Sequence, residues 1–252
     1  MGSLNSMLEI RRKTVSSTRD TRIVYDDVYA GRGVRLSDSF YLWVLNLLHL
    51  EQGQNLLDVS CGEGMLLRFA AAKGILAYGI DFSEVAATAA RQNAASAGTV
   101  VADAETLPWS DDCFDCVTNI GSLEHYVHPG ESVKEMARVL KPDGLACILV
   151  PNTFGLWGNI KHVWQTGDIF DDGFQPIQRY ATKNVWISLL TENGLVPYKI
   201  VKHEREAPRT IKDGLMFLRH PLRIVRLALF PFVPLNLADR LVFLCHPAKR
   251  EP

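Results

Sequence analysis

The sequence predicts an α/β domain with a doubly wound, mostly parallel sheet and helices on both faces. Three observations carry this reading. Short apolar runs alternate with helix-spaced segments from Asn55 to Val150. A glycine-rich turn, Cys61-Gly62-Glu63-Gly64, stands directly after the first run, and acids follow the next two, at Asp81 and Asp103. Strands alternating with helices build βαβ units and hence a parallel sheet. At 252 residues and 47% hydrophobic, the chain can bury one large core of this type.

Residues up to about Thr21 are polar and charged without a period, which predicts a loose arm or a short helix. In Val34–Leu50, Phe40, Trp43, Val44, Leu47 and Leu48 recur at helical spacing, and Gly53 ends the pattern. Asn55–Val59 reads as a short strand, Met65–Lys73 as a helix closed by Gly74, and Ala77–Ile80 as a strand. Glu84–Ala97 is a helix with Ser83 as its N-cap, because a serine hydroxyl can take a free amide of the first turn. Strands follow at Val100–Ala102 and Phe114–Asn119, then a helix over Glu131–Leu140. Lys141-Pro142-Asp143-Gly144 reads as a turn, and Leu145–Val150 as a strongly apolar strand.

From residue 152 to 180 the rhythm lapses. A long insertion beyond the carboxyl end of a strand is where a substrate lid would sit; Asp171, Asp172, Gln175, Arg179 and Tyr180 could touch the acceptor there, with a solvated lid loop preferred for most of them. The rhythm resumes with a helix at Lys183–Glu192, a strand at Val196–Lys202 and a final strand at Leu241–Cys245. The expected organisation is a helical arm or lid over 1–50 and a ligand-binding domain over 51–252, with insertions at 152–180 and 203–238.

A net charge of −1 with 22% charged residues argues against a general nucleic-acid binder, whose affinity rests on a basic surface. Five cysteines, an odd number without the spacing of a disulfide framework, suit a reducing, cytoplasmic setting. Cys113-Phe-Asp-Cys116 has CxxC spacing but lies at the start of an apolar strand, so a redox or zinc role is disfavoured and no metal is expected. Met1-Gly2-Ser3-Leu4-Asn5-Ser6 fits the N-myristoylation pattern, one short enough that chance is preferred.

The chemistry-bearing segments stand at successive strand ends. After Leu56-Leu57-Asp58-Val59, the turn Ser60-Cys61-Gly62-Glu63-Gly64 lets backbone pass close to a ligand, with helix amides facing it. Asp81, in Gly79-Ile80-Asp81-Phe82-Ser83, can accept hydrogen bonds from both hydroxyls of a ribose. Asp103, in Ala102-Asp103-Ala104-Glu105-Thr106-Leu107-Pro108, can accept from an adenine amino group. Taken singly, each has a plainer reading: a tight turn, a helix cap and a solvated loop acid.

Taken together, and in this order, these segments resemble the class I S-adenosylmethionine (SAM)-dependent methyltransferases. Phe114-Asp115-Cys116-Val117 matches the family's fourth strand, and Glu135-Met-Ala-Arg-Val-Leu-Lys-Pro-Asp-Gly144 the helix and turn before the fifth. The similarity runs from about Leu56 to Asn152 and looks like the small-molecule type that includes quinone-biosynthesis and natural-product enzymes. It implies a Rossmann-like methyltransferase fold, seven strands with the last antiparallel, and SAM as cofactor. It further implies that Asp58, Ser60, Cys61, Gly62 and Gly64 line the methionine part of SAM. Asp81 would hold the ribose, Phe82 would lie against the adenine, and Asp103 and Ala104 would meet its edge. Asn119, Ile120 and Gly121 would sit near the sulfonium, and Tyr25 and Tyr29 would either close over the cofactor or serve as packing aromatics. The family usually has glycine where this chain has Ser60; a serine with ordinary backbone dihedrals would fit with a modest change in the turn.

Methyl transfer needs a base only if the acceptor must lose a proton. His125, in Ser122-Leu123-Glu124-His125-Tyr126, is the imidazole near the transfer point, and Glu124 and His125 are the candidate catalytic pair, with loop ordering as the alternative role. The expected acceptor is a small-molecule or lipid-like compound. Over 214–230, Arg219, Arg223 and Arg226 make a basic stripe on a very apolar segment. Such a segment either rests on a membrane surface or packs over the acceptor pocket, and packing is preferred. Prolines and arginines argue against a transmembrane span. A nicotinamide dehydrogenase would want Gly-x-Gly-x-x-Gly after the first strand, which fails at its third glycine. A non-catalytic SAM-binding partner subunit is the remaining alternative.

Overall fold

Period-two alternation in the central strands sends neighbouring side chains into two separate cores. The computed structural model describes residues 7–12, 18–31 and 33–249, so the Met1-to-Ser6 pattern lies outside it. In order the elements are β1 (Leu8–Arg11), α1 (Thr18–Gly31), α2 (Asp38–Leu48), β2 (Asn55–Val59), α3 (Met65–Ala71), β3 (Leu76–Asp81), α4 (Glu84–Asn93) and β4 (Gly98–Val101). Then come β5 (Phe114–Ile120), α5 (Pro129–Val139), β6 (Leu140–Pro151), α6 (Lys161–Thr166), β7 (Ile177–Tyr180), α7 (Lys183–Glu192), β8 (Leu195–His203), α8 (Ile211–Arg219), α9 (Pro221–Leu229) and β9 (Arg240–Pro247).

Seven strands form the main sheet in the order β4-β3-β2-β5-β6-β9-β8. The first five run parallel, and β9 pairs antiparallel with both β6 and β8. On one face Leu57, Val59, Ala146, Ile148 and Val150 pack with Val133 and Met136 of α5 and Trp186 and Leu189 of α7. On the other, Leu56, Cys147 and Leu149 pack with Phe40, Val44 and Leu48 of α2 and Leu66 and Leu67 of α3. Both faces are therefore apolar, as a doubly wound parallel sheet requires. All five cysteines are free thiols. No helix among the described residues is long and apolar enough to cross a membrane.

Four segments depart from the sequence reading. The first described residues are not a loose arm: β1 pairs antiparallel with β7 in a separate two-stranded ribbon, Leu8 opposite Tyr180 and Arg11 opposite Ile177. Its partner is far along the chain, and its own Leu-Glu-Ile-Arg alternation is only four residues long. The second helix begins at Asp38, because the Ser37 hydroxyl accepts from the Phe40 amide and caps it there. Lys141–Gly144 is no free turn but an irregularity inside β6, where Leu140 pairs with Phe114 and Leu145 with Cys116. The 152–180 insertion carries a π-helical turn (Leu156–Ile160), α6 and β7.

Candidate active site

The carboxyl end of β2 runs into a turn whose backbone visits the left-handed region three times in five residues: Ser60 at φ 61°, Gly62 at 53° and Gly64 at 73°. Glycine takes this conformation freely. A Cβ on Gly62 would stand 2.9 Å from the Tyr29 hydroxyl, and one on Gly64 2.8 Å from the Ala90 Cβ. Gly62 thus keeps a cavity open, while Gly64 lets α3 close on α4. Ser60 overturns the expectation of ordinary dihedrals: a side chain sits where the backbone costs roughly 1–2 kcal/mol. Its hydroxyl is engaged by the Tyr126 hydroxyl at 2.6 Å, which itself accepts from Asn119 Nδ2 at 2.6 Å.

Beyond this turn lies a cavity of about 1070 Å3, counting the part open to solvent. Asp58, Ser60, Cys61 and Gly62 line it from β2, Asp81 and Phe82 from β3, Asp103 and Ala104 after β4, and Ile120, Gly121 and His125 after β5. Tyr25 and Tyr29 line it from α1 and Gln175 from the insertion. Three of the residues expected at the cofactor or as the catalytic pair do not reach it. Gly64 is spent on the α3–α4 approach. Asn119 is buried, donating to the Val59 carbonyl and accepting from the Leu123 amide, so it shapes the loop instead. Glu124 is buried behind His125, its Oε1 3.6 Å from His125 Nε2.

Asp81 is fully buried at the end of β3. The Gly62 amide donates to its Oδ2 at 3.0 Å and the Ser83 amide to its Oδ1 at 2.9 Å. Burial pushes its pKa up to about 6 against these two bonds. Each oxygen keeps a further lone pair for an incoming hydroxyl. Asp58 accepts from Thr118 Oγ1 at 2.7 Å, yet burial raises it to about 7. Asp103 is half-buried and likewise raised by loss of water, while the Glu105 amide holds its Oδ1 at 2.9 Å. These raised carboxyls mark a dry, ligand-ready wall, of the kind that clusters at functional sites.

His125 Nδ1 lies 2.6 Å from the Ile177 carbonyl of β7. The carbonyl only accepts, so Nδ1 carries a hydrogen, and the neutral form of the ring has its lone pair on Nε2, an assignment made from the partner. Burial raises the Glu124 carboxyl, with His125 as the leading opposing influence. The Tyr25 hydroxyl donates to Gln175 Oε1 at 2.6 Å, and its ring stands 5.5 Å from Phe82. Of the insertion candidates only Gln175 reaches the cavity. Asp171 pairs with Arg12, Asp172 holds the Phe174 and Gln175 amides, Tyr180 donates to the Phe170 carbonyl, and Arg179 is buried against Glu9 and the Tyr126 carbonyl.

Sequence reasoning gave no role to Tyr126, nor to Val34, Leu36 and Tyr41, which wall the cavity ahead of and within α2. An aromatic directly after His125 was the available signal for the first. The others fall within the stretch Val34–Leu50, where the sequence predicts a helix. α8 and α9 contribute nothing to the cavity, so the preferred reading of 214–230 as its cover is not what the chain does.

Residues 57–148 match the family model described as a methyltransferase domain. The 27-O-demethylrifamycin SV methyltransferase of Amycolatopsis mediterranei is 35% identical over 132 residues, 48% of this chain and 48% of that protein. The ubiquinone biosynthesis O-methyltransferase of Paracidovorax citrulli is 39% identical over 111 residues, 40% of this chain and 45% of that protein. These matches span just under half the length of the curated relatives. Among solved structures, a Burkholderia thailandensis 1,6-didemethyltoxoflavin-N1-methyltransferase, with bound 1,6-didemethyltoxoflavin and S-adenosylhomocysteine, superposes at a TM-score of 0.62. It covers 96% of this chain and 95% of its own, at 16% identity, a likeness of fold. With the glycine turn, the buried acid after β3 and the antiparallel β9 all in place, the chain has the Rossmann-like methyltransferase fold, and its segment 57–148 carries the match to the methyltransferase domain.

Proposed function

We propose that the chain transfers a methyl group from SAM to a small organic acceptor, apolar or lipid-like in character. The carrying observation is the Asp81 carboxyl, buried at the foot of the cavity and braced by the Gly62 and Ser83 amides. That arrangement fits a ribose, and the open turn at Gly62 fits the close passage of a ligand. The relatives named for rifamycin and ubiquinone intermediates support a small-molecule acceptor. When bound, SAM supplies a methyl carbon already activated by positive sulfur.

The residues of this chain would then divide the work. Asp58, Ser60, Cys61 and Gly62 would hold the methionine end, Asp81 the ribose, and Phe82, Asp103 and Ala104 the adenine, with Ile120 and Gly121 beside the transfer point. Tyr25 and Tyr29 would exclude water from above. The Ile177 carbonyl orients the His125 ring, and Nε2 takes the proton from an acceptor hydroxyl or amine. Glu124, 3.6 Å away, offsets the charge of the resulting imidazolium. General-base catalysis of this kind is worth roughly 10²–10⁴-fold.

The test has two arms. Calorimetry with SAM and S-adenosylhomocysteine should show binding that Asp81→Ala removes; no heat from the folded wild type rejects the proposal. Mass spectrometry after incubation with SAM and a panel of phenols, quinols and polyketides should find one added methyl group. On the acceptor so found, His125→Ala should lower kcat at least a hundredfold with SAM affinity kept; unchanged turnover at every pH removes the base role.

A further inference from the structure

α8 and α9 present an apolar stripe that covers nothing. Ile211, Leu215, Leu218, Leu222, Val225, Leu229 and Phe232 recur at spacings of four and three residues, and all are exposed. Ile211, Leu218, Leu222 and Phe232 show 86%, 73%, 77% and 82% of their surface to solvent. So many large apolar side chains on one segment exceed the scattered exposure usual for a surface. The opposite sides of these helices are well anchored. On α8, Phe217 and Asp213 are buried, and Asp213 Oδ2 accepts from the Ser39 amide (2.8 Å) and hydroxyl (2.6 Å). On α9, Arg226 turns inward to Asp239 at 3.0 Å and Glu204 at 3.4 Å. Lys202 Nζ holds the carbonyls of Phe230, Pro231 and Val233 just beyond α9. α8 is thus fixed to the body by its inner side, and α9, which buries none of its described residues, is tied to it through Arg226 and the segment that follows.

Charge on this surface is one-sided. Between residues 203 and 238 the carboxylates are Glu204, Glu206 and Asp213. Glu204 and Asp213 are buried, and Glu206 is tied to Ser37 and His203. The cations Arg209, Lys212 and Arg219 are exposed, Arg223 is half-exposed, and none of the four makes an ion pair among the described residues. Arg205 stands beside Arg223 and Arg226, and burial first, then their repulsion, lowers its proton affinity.

We propose that α8 and α9 dock this protein on an anionic lipid bilayer, the apolar stripe entering the boundary of the acyl chains and Arg209, Lys212, Arg219 and Arg223 meeting the headgroups. An apolar helical face flanked by cations and free of outward carboxylates is what such a surface selects. A protein partner of ordinary composition would not require that every carboxylate be withdrawn. The surface also adjoins the cavity: Ser39, which anchors α8, lies between Leu36 and Tyr41, both of which line it. Docking would therefore bring the bilayer to the wall through which an apolar acceptor could enter.

The test is flotation of the full chain with phosphatidylcholine vesicles, with and without about one-third phosphatidylglycerol. Wild type should float with the anionic vesicles, less at high salt, and weakly with the neutral ones. Leu218→Asp with Leu222→Asp, at exposed positions where folding is not at stake, should abolish flotation and leave calorimetric binding of S-adenosylhomocysteine unchanged. Arg219→Glu with Arg223→Glu should weaken it by fivefold or more per residue. Failure of the wild type to float, or flotation unchanged in both variants, overturns the proposal. So does a dimer in solution that dissociates in the leucine variant without any vesicle binding, since the stripe would then be covered by a second copy.

Discussion

Replacing Ser60 by Ala and by Gly in parallel isolates what its backbone costs. Both changes remove the hydroxyl held by Tyr126 at 2.6 Å, worth about 1 kcal/mol, so that loss cancels between them. What remains is conformational. At ordinary dihedrals alanine is the more stable by about 0.4–1 kcal/mol, because it has less freedom to lose on folding. At φ 61° that advantage is opposed by roughly 1–2 kcal/mol of left-handed strain, which glycine does not feel. The order should therefore reverse, with Ser60→Gly above Ser60→Ala by about 0.5–1 kcal/mol. Relative to wild type, the alanine variant should lose about 1 kcal/mol and the glycine variant should stay nearly level. Urea unfolding followed by circular dichroism reads this difference as a shift in midpoint at constant m. An alanine variant as stable as the glycine variant would refute the strain argument and return the turn to ordinary geometry.

Other outcomes follow from the same geometry. Burial holds Asp81 at about 6, and hydroxyl donors need its ionised form, which exists above that value. Affinity for S-adenosylhomocysteine should thus be level above about pH 7 and fall by at most about tenfold per unit as pH drops through 6. Calorimetry from pH 5 to 8 checks this, and a flat profile would contradict it. Gly64→Ala places a Cβ 2.8 Å from Ala90 Cβ and 2.9 Å from its Cα at φ 73°. It should cost about 2–4 kcal/mol in thermal unfolding, and a loss under about 1 kcal/mol would show that α4 yields easily.

The parallel core was legible because its signals are local. Strands such as Leu56–Val59 are short and apolar on both faces, glycine and serine punctuate them, and the acids at Asp81 and Asp103 follow strand ends directly. The cavity floor was legible for the same reason, since each lining residue from Asp58 to Gly121 sits within a few positions of a strand terminus. What escaped was non-local. Leu8–Arg11 pairs with Ile177–Tyr180, far along the chain; its Leu-Glu-Ile-Arg alternation is only four residues long, and Ile-Gln-Arg-Tyr does not alternate. Ser60 was misjudged because side-chain identity says little about φ once a tertiary bond to Tyr126 holds the turn. The exposure of α8 and α9 was invisible because an apolar stripe at helical spacing has the same sequence whether it faces a core or water.

The β1–β7 ribbon links parts that local sequence keeps apart. β7 supplies the Ile177 carbonyl that sets the His125 tautomer, and two residues ahead of it Gln175 grips the hydroxyl of Tyr25. β1, leading toward α1, is stapled to the same strand by Glu9 and Arg179. The roof of the pocket and the orientation of the imidazole are therefore one mechanical part. Any displacement of β7 would therefore move the Ile177 carbonyl under His125 and the Gln175 grip on Tyr25 together.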